Sequence, residues 1–527
     1  MISFTPMAYP VHHWTVRKPA VESRFGVVAS QVYDASAAGV AVLEAGGNAV
    51  DAAVATAFAL AAVEPWNSGL GGMGFAIVHP ASEPAVSSVN FGPVAPRALR
   101  AEQFPLTGRP GSDLFPWPQV KDDLNAHGGL SFCLPTAVAG YATMLERWGT
   151  MPLSEVLQPA ISLAKRGLAQ DWFTTLMLAQ AAPLLRKYRA SSEIFLHDGL
   201  PPVPPYQGTP GFLPLGRLPD TLERLARAGW RDFYQGEVAR SIVRDTADLG
   251  GVISQEELAS YQPELGRTLD VPWGTSTVQL SSGLNAGPTL AETLTYRNSA
   301  GIAYDGEPDA KWYAALATAM KGAYLRRLDL DGDSAPTNHG CTSHINVCDA
   351  SGSMVALTTT LLSSMGGRAV LPSTGFLMNN GVLWFDPRPG RPNSIGSGRR
   401  PLSNMCPVIV KSEGRPVIVC GAAGGRRIMA AVGQLLLFVN DFRIPVEDAA
   451  HLPRIDVSGS EKISIDRRLG DDVVNALRAI GDVERVDHNV LPINFARPSI
   501  IERLDGTVAR GVSDAFSPWS AALGGGE

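Results

Sequence analysis

Thr342 opens the run TSHINVCD at residues 342–349, and Thr360 closes the run SMVALTTT at residues 353–360. Both runs alternate and are rich in strand-forming residues, and the ASG between them puts a glycine in the last, left-handed position of a three-residue hairpin loop. If Asp349 and Ser353 close that loop, Thr342 lies directly across from Thr360, with Cβ atoms about 5 Å apart and hydroxyls able to meet. A threonine hydroxyl is a weak nucleophile until a base takes its proton, so such a pair is a starting point for acyl transfer. Threonine is also common in strands, and a cross-strand Thr–Thr pair is an ordinary stabilising contact. Spacing alone does not choose between the two.

A second chemical feature lies in the strand, loop and helix expected over 415–442, where Gly421, Gly424 and Gly425 sit in GAAGGRR. Free backbone N–H groups at a helix N-terminus collect negative charge. The pattern is neither G-x-G-x-x-G nor a Walker loop. An oxyanion or carboxylate is therefore the better-fitting guest than a nucleotide, with a plain tight turn as the simplest reading. His344, two residues past Thr342, resembles a general base but reads as structural. The acidic DLDGDS, with Asp329, Asp331 and Asp333, lacks the glycine and glutamate placements of a calcium loop and reads as a solvated loop. No metal and no cofactor is expected.

Elements must position these groups. Residues 34–63 carry small apolar residues at helical spacing broken by Gly46-Gly47, which predicts two short helices packing tightly. The following EPWNSGLGGMGFAIVHP leads a glycine cluster, Gly69, Gly71, Gly72 and Gly74, into a strand, and implies close backbone approach. The middle third, roughly 100–330, reads as mostly helical, and after about 335 the texture turns to β-branched alternation. Strands near both ends with helices between them predict an α+β or layered α/β body whose sheet draws on both halves of the chain.

The 527 residues, 45% of them hydrophobic, can bury a large core. Mixed charges summing to −6 provide no basic stripe for nucleic acid or an anionic membrane. Five widely spaced cysteines suggest neither a disulfide framework nor a zinc cluster, and fit a reducing compartment. The N-terminal stretch lacks an apolar core and a small-residue cleavage site, and no apolar run is long enough to span a bilayer. The expected location is cytoplasmic.

Four segments in register resemble the γ-glutamyltransferase family of N-terminal nucleophile hydrolases: GGNAVDAAVATAFALAAVEPWNSGLGGMGF, TSHINVCDASGSMVALTTT, RRPLSNMCPVIV and GAAGGRR. The resemblance implies a four-layer αββα sandwich, made as one precursor that cuts itself between Cys341 and Thr342 into a large chain, 1–341, and a small chain, 342–527, which stay associated as one catalytic domain. A homo-oligomer is compatible with it. Thr342 would then be the nucleophile, and its new α-amine, with a reference pKa of about 7.7–8.0, the base. The family places a second threonine against the nucleophile, matching Thr360, and a diglycine that faces the oxyanion, matching Gly424-Gly425. The competing class is a nucleotide-binding α/β protein in which Thr342 never becomes a terminus.

The sequence departs from the family at the amino-acid head group. Gly92 stands where the family has the arginine that grips the α-carboxylate, and Leu362 replaces an asparagine. Gly381 and Trp384 replace the glutamine and aspartate that hold the α-amine, while Ser403 remains and Asn404 replaces its partner serine. Losing a guanidinium and a carboxylate together removes most charge complementarity for an amino acid. Glutathione is thus disfavoured. A small amide acid such as oxamate is expected, with a glutaryl- or cephalosporin-type amide, or a γ-glutamyl compound, as alternatives. Ser403, Asn404, Arg368 and Arg400 are the carboxylate anchors suggested by chain proximity.

Overall fold

The computed structural model describes residues 16–111, 115, 117–299, 306–331, 341–458 and 462–526. The N-terminal stretch up to residue 15 and Asp333 lie outside the described residues.

Two seven-stranded sheets form the centre. One runs, in spatial order, Ala521–Gly524, Gly26–Ser30, Cys341–Asp349, Met354–Leu362, Met73–His79, Ser87–Phe91 and Glu264–Arg267. The other runs Val21–Ser23, Val508–Ser513, Arg497–Leu504, Arg415–Ala423, Val408–Ser412, Ser276–Leu280 and Leu269–Trp273. All neighbouring pairs in both sheets are antiparallel.

Period-two alternation builds the layers. In Gly26–Ser30, Val27 and Ala29 face the second sheet and, with Met354 and Ala356 of their own sheet, pack against its Ile409 and Val419. Val28 points the other way, toward the helices Tyr33–Glu44 and Ala49–Val63. The second sheet turns Val408, Val410 and Cys420 outward onto Gly287–Ser299 and Ile428–Phe442. The result is the four-layer αββα sandwich.

The helix pair predicted over 34–63 forms as Tyr33–Glu44 and Ala49–Val63. Asn48 begins the second with a capping box, accepting from Val50 and Asp51 N–H while the Asp51 carboxylate accepts from Asn48 N–H. Every residue of Ala49–Val63 is buried, because alanine on all sides lets it press against both its partner helix and the sheet. The glycine cluster is explained by backbone approach. A Cβ on Gly71 would stand 2.1 Å from the Leu377 carbonyl oxygen, and one on Gly74 2.2 Å from that of Thr358.

The solvated loop expected around Asp329 and Asp331 is corrected: the helix Ala310–Asp331 runs through both positions. Among the described residues no group of acidic, His or Cys side chains could hold a metal, no helix is long and apolar enough to cross a membrane, and all five cysteines are free.

Candidate functional site

The hairpin over Cys341–Asp349 and Met354–Leu362 closes as expected: Asp349 N–H donates to the Ser353 carbonyl at 3.1 Å, and Gly352 takes φ +91°. From there the ladder is regular through Ser343↔Thr359. It then shifts, so that Cys341 pairs with Leu362, and Thr360 and Leu361 together oppose Thr342. The direct Thr342–Thr360 pairing is thereby corrected. The cause lies at Leu362, whose φ of +82° is a conformation that branched side chains resist, and which bends the strand end. The bend re-aims Thr360. Its hydroxyl donates to the Cys341 carbonyl and accepts from Leu362 N–H at 2.8 Å.

Thr342, 5% exposed, lines a cavity of about 620 Å³ together with Arg368, Gly424, Arg427 and Arg497. Gly424 and Gly425 have φ of +140° and +61°, and a Cβ on Gly424 would sit 2.7 Å from the Ala496 backbone, so only glycine fits. Gly421 belongs instead to the strand Arg415–Ala423, where a Cβ would stand 2.1 Å from the His344 ring. That ring is fully buried, bonded to Thr358 Oγ1 at 2.8 Å and Asn346 Oδ1 at 2.9 Å. Burial lowers its pKa to about 4. His344 is inter-sheet packing.

Behind the strand Cys341–Asp349 is a polar cluster that the sequence did not reveal. Ser343 Oγ donates to Glu64 Oε2 at 2.7 Å and lies 2.9 Å from Ser68 Oγ. Burial raises the Glu64 carboxyl from an ordinary 4.5 to about 7, against the lowering effects of Ser343 and Arg497. Glu64 and Ser343 are far apart in sequence, so only the fold could pair them. Burial also pushes the Cys341 thiol up to about 11, keeping it protonated.

Of the four expected anchors, only Arg368 lines this cavity. Asn404 lines a second, much smaller one of about 20 Å³ with Trp384, Tyr324, Arg327 and Arg426. Ser403 and Arg400 line neither. The Ser403 hydroxyl donates to the Leu284 carbonyl at 3.1 Å, and Arg400 turns to Glu264 at 2.9 Å on the sheet edge. Chain proximity misled here because adjacent residues after Arg400 point to different sides.

The departures from the family are walled in. A Cβ on Gly92 would stand 2.5 Å from the Phe75 ring, and one on Gly381 2.7 Å from Cys133 Sγ. Leu362 and Trp384 are each 3% exposed.

The Gamma-glutamyltranspeptidase family model matches residues 35–339 and 332–523. The chain is 30% identical over 514 residues to a glutathione hydrolase proenzyme of Escherichia coli, covering 88% of this chain and 86% of that one. It is 30% identical over 502 residues to an acylase ACY 1 proenzyme of a Pseudomonas species, covering 88% of each. The cephalosporin acylase of Bacillus halodurans superposes with a TM-score of 0.83 over the whole of both chains at 23% identity, a likeness of fold.

Proposed function

From the premise that this chain belongs to the gamma-glutamyltranspeptidase family, we propose that it is a self-processing amidohydrolase whose nucleophile is Thr342. In the precursor, the Thr342 hydroxyl attacks the Cys341 carbonyl carbon. The acyl group passes from nitrogen to oxygen, and water opens the ester, leaving chains 1–341 and 342–527. The observation that carries this reading is the Thr360 hydroxyl donating to the Cys341 carbonyl, the bond one residue before the nucleophile. A donor placed there polarises the carbonyl and stabilises the oxygen as it becomes negative, an effect typically worth about 3–4 kcal/mol per well-placed donor.

In the processed enzyme the freed α-amine of Thr342 takes the hydroxyl proton, and the hydroxyl attacks the substrate amide. The Gly424-Gly425 turn, whose Gly424 lines the same cavity as Thr342, supplies N–H groups for the oxyanion. Collapse expels the amine with the proton from the α-amine, and water then releases the acid.

For the substrate we favour a small amide acid, with oxamate and water giving oxalate and ammonia. Support comes from the positions where the family carries its head-group arginine and glutamine. Gly92 and Gly381 leave no room for any side chain, and Trp384 fills the space of the amine-binding aspartate. A second reading, an acylase for a larger carboxylated acyl group, is favoured by the 620 Å³ cavity, whose size suits a drug-sized ligand.

Two measurements test this. Denaturing electrophoresis of wild-type protein should give two bands, and Thr342→Ala a single band with no turnover. A continuous chain in active wild-type protein would overturn the mechanism. Ammonia release should be fastest from oxamate when compared with glutathione and glutaryl amides; fastest release from glutaryl amides selects the second reading, and consumption of glutathione sinks both.

A further inference from the structure

The cavity at Thr342 carries charge of one sign. Among the described residues it is lined by three arginines, Arg368, Arg427 and Arg497, and by no aspartate, glutamate, lysine or histidine. Arg427 is turned into the fold, donating to the Ile493 carbonyl and standing 3.8 Å from Asp456. Arg497, 6% exposed, donates to the Val490 carbonyl at 3.0 Å, and its guanidinium carbon stands 5.7 Å from the centre of the Phe173 ring. Its acidic neighbours are Asp514 and Glu64. Asp514 is paired with Arg454 at 2.8 Å, and Glu64 takes the Ser343 hydroxyl at 2.7 Å. A buried guanidinium on a cavity with no acidic wall favours an anionic guest.

Arg368 is fixed through its backbone. Its φ of +64° lies in the left-handed region that a side chain resists. The main chain is pinned there: the Arg368 N–H donates to the Met365 carbonyl at 2.9 Å, its own carbonyl accepts from the Ser191 hydroxyl at 2.7 Å, and its guanidinium reaches the Gly366 carbonyl. Strained residues held by their surroundings gather at ligand clamps.

Cys341 shows where in the cavity these guanidinia act. Burial raises its thiol to about 11 and Glu64 adds to the rise, while Arg368, the Ser364 hydroxyl and Arg497 all pull it back, so those three groups face the residue before the nucleophile. In processing, the Cys341 acyl group passes onto the Thr342 oxygen. In turnover, the substrate's acyl group forms the same ester on the same oxygen. The place held by Cys341 in the uncut chain is therefore the place that the substrate's acyl group takes once the chain is cut.

We infer that Arg368 and Arg497, with the Ser364 hydroxyl, clamp a carboxylate that the acyl group bears close to its reacting carbonyl, and so select amido acids over neutral amides and over acyl groups carrying an ammonium. The inference rests on the amide-hydrolase reading of Thr342. It supplies cations for a carboxylate from two positions away from Gly92, Gly381 and Trp384, on the cavity that contains the nucleophile itself.

The test uses the processed enzyme with oxamate, malonamate, succinamate and glutaramate, and acetamide as the uncharged comparison. Arg368→Gln and Arg497→Gln, each shown on a denaturing gel to have self-cleaved, should lower the preference for the best amido acid over acetamide about 10–100-fold, through KM more than through kcat. Arg368→Lys should recover part of that preference, because it keeps the charge and loses the planar fork. Oxalate affinity, measured by calorimetry, should fall in both Gln variants, and should be at least about tenfold weaker in the uncut Thr342→Ala chain, where Cys341 still holds the place. Unchanged preference and unchanged oxalate affinity in the cleaved Gln variants would overturn the clamp, as would full oxalate affinity in Thr342→Ala. If the wild-type enzyme prefers a different carboxylated amide to all four, the oxamate reading falls, and the effect of Arg368→Gln on the preference for that amide over its uncharged analogue still decides the clamp. Should either Gln variant fail to self-cleave, the Lys variant at that position decides it, a lowered preference supporting the clamp and an unchanged one removing it.

Discussion

The hairpin Cys341–Leu362 has two very different ends. At its loop end, the ladder is regular, the turn is closed by Asp349 and Ser353, and glycine occupies the single left-handed position. At its open end the register shifts, Leu362 takes a left-handed φ that leucine resists, and a buried glutamic acid bonds the residue beside Thr342. Both ends belong to the same two strands of one sheet. The loop end follows local rules that stabilise the fold, while the open end breaks them, at about 1–3 kcal/mol for each strained residue, to aim a hydroxyl at one carbonyl. Regularity builds the scaffold and departures from it build the site.

That contrast can be broken or sharpened by substitution. The largest effect is expected at Thr360. Thr360→Val keeps the strand's shape but removes the donor to the Cys341 carbonyl, and should slow self-cleavage by on the order of 10–100-fold, followed as the conversion of one gel band into two over time. Cleavage at the wild-type rate would mean that the bent strand end has no part in processing.

An intermediate effect is expected at Glu64. Its carboxyl is raised in the folded protein from 4.5 to about 7, so the fold binds a proton more tightly than the unfolded chain does. That contribution is complete below pH 4.5 and is lost as pH rises through about 7. Glu64→Gln, which keeps the neutral shape, should lack this loss and melt about 2–4 °C above wild type at pH 8 relative to the difference at pH 4.5. Parallel pH profiles of Tm for the two proteins would refute the raised carboxyl.

The smallest effect is expected at the loop end. Gly352→Ala forces a Cβ into a left-handed residue beside the Arg503 side chain, and should destabilise by about 1 kcal/mol in urea titration while self-cleavage proceeds at the wild-type rate. A slowed cleavage would show that the two ends are not independent.

The same division explains what the sequence made readable. The loop, most of the ladder and the glycine contacts obey short-range rules, so TSHINVCD-ASG-SMVALTTT specifies them directly. The helix pair around Gly46-Gly47 was equally plain. Nothing in SMVALTTTLL distinguishes a leucine that continues a ladder from one that ends it with a positive φ, so the shift at Leu362 was invisible. Ser343 meeting Glu64 is a product of the fold, and no spacing rule reports it. Arg426 and Arg427 are identical in composition and adjacent in sequence, and only the three-residue turn Gly425–Arg427 separates their destinations. Ser403 and Arg400 are close along the chain to Asn404, and such closeness does not measure closeness to Thr342.

The strand order has one more consequence. In the sheet that carries Thr342, segments from before position 341 and from after it interleave: Gly26–Ser30 lies between Ala521–Gly524 and Cys341–Asp349, and Met354–Leu362 pairs with Met73–His79. Severing the chain at 341/342 would therefore leave two polypeptides woven through one another like interlaced fingers. Dilution alone would not part them, and neither piece could be traded for its counterpart in another molecule without first unravelling the sheet.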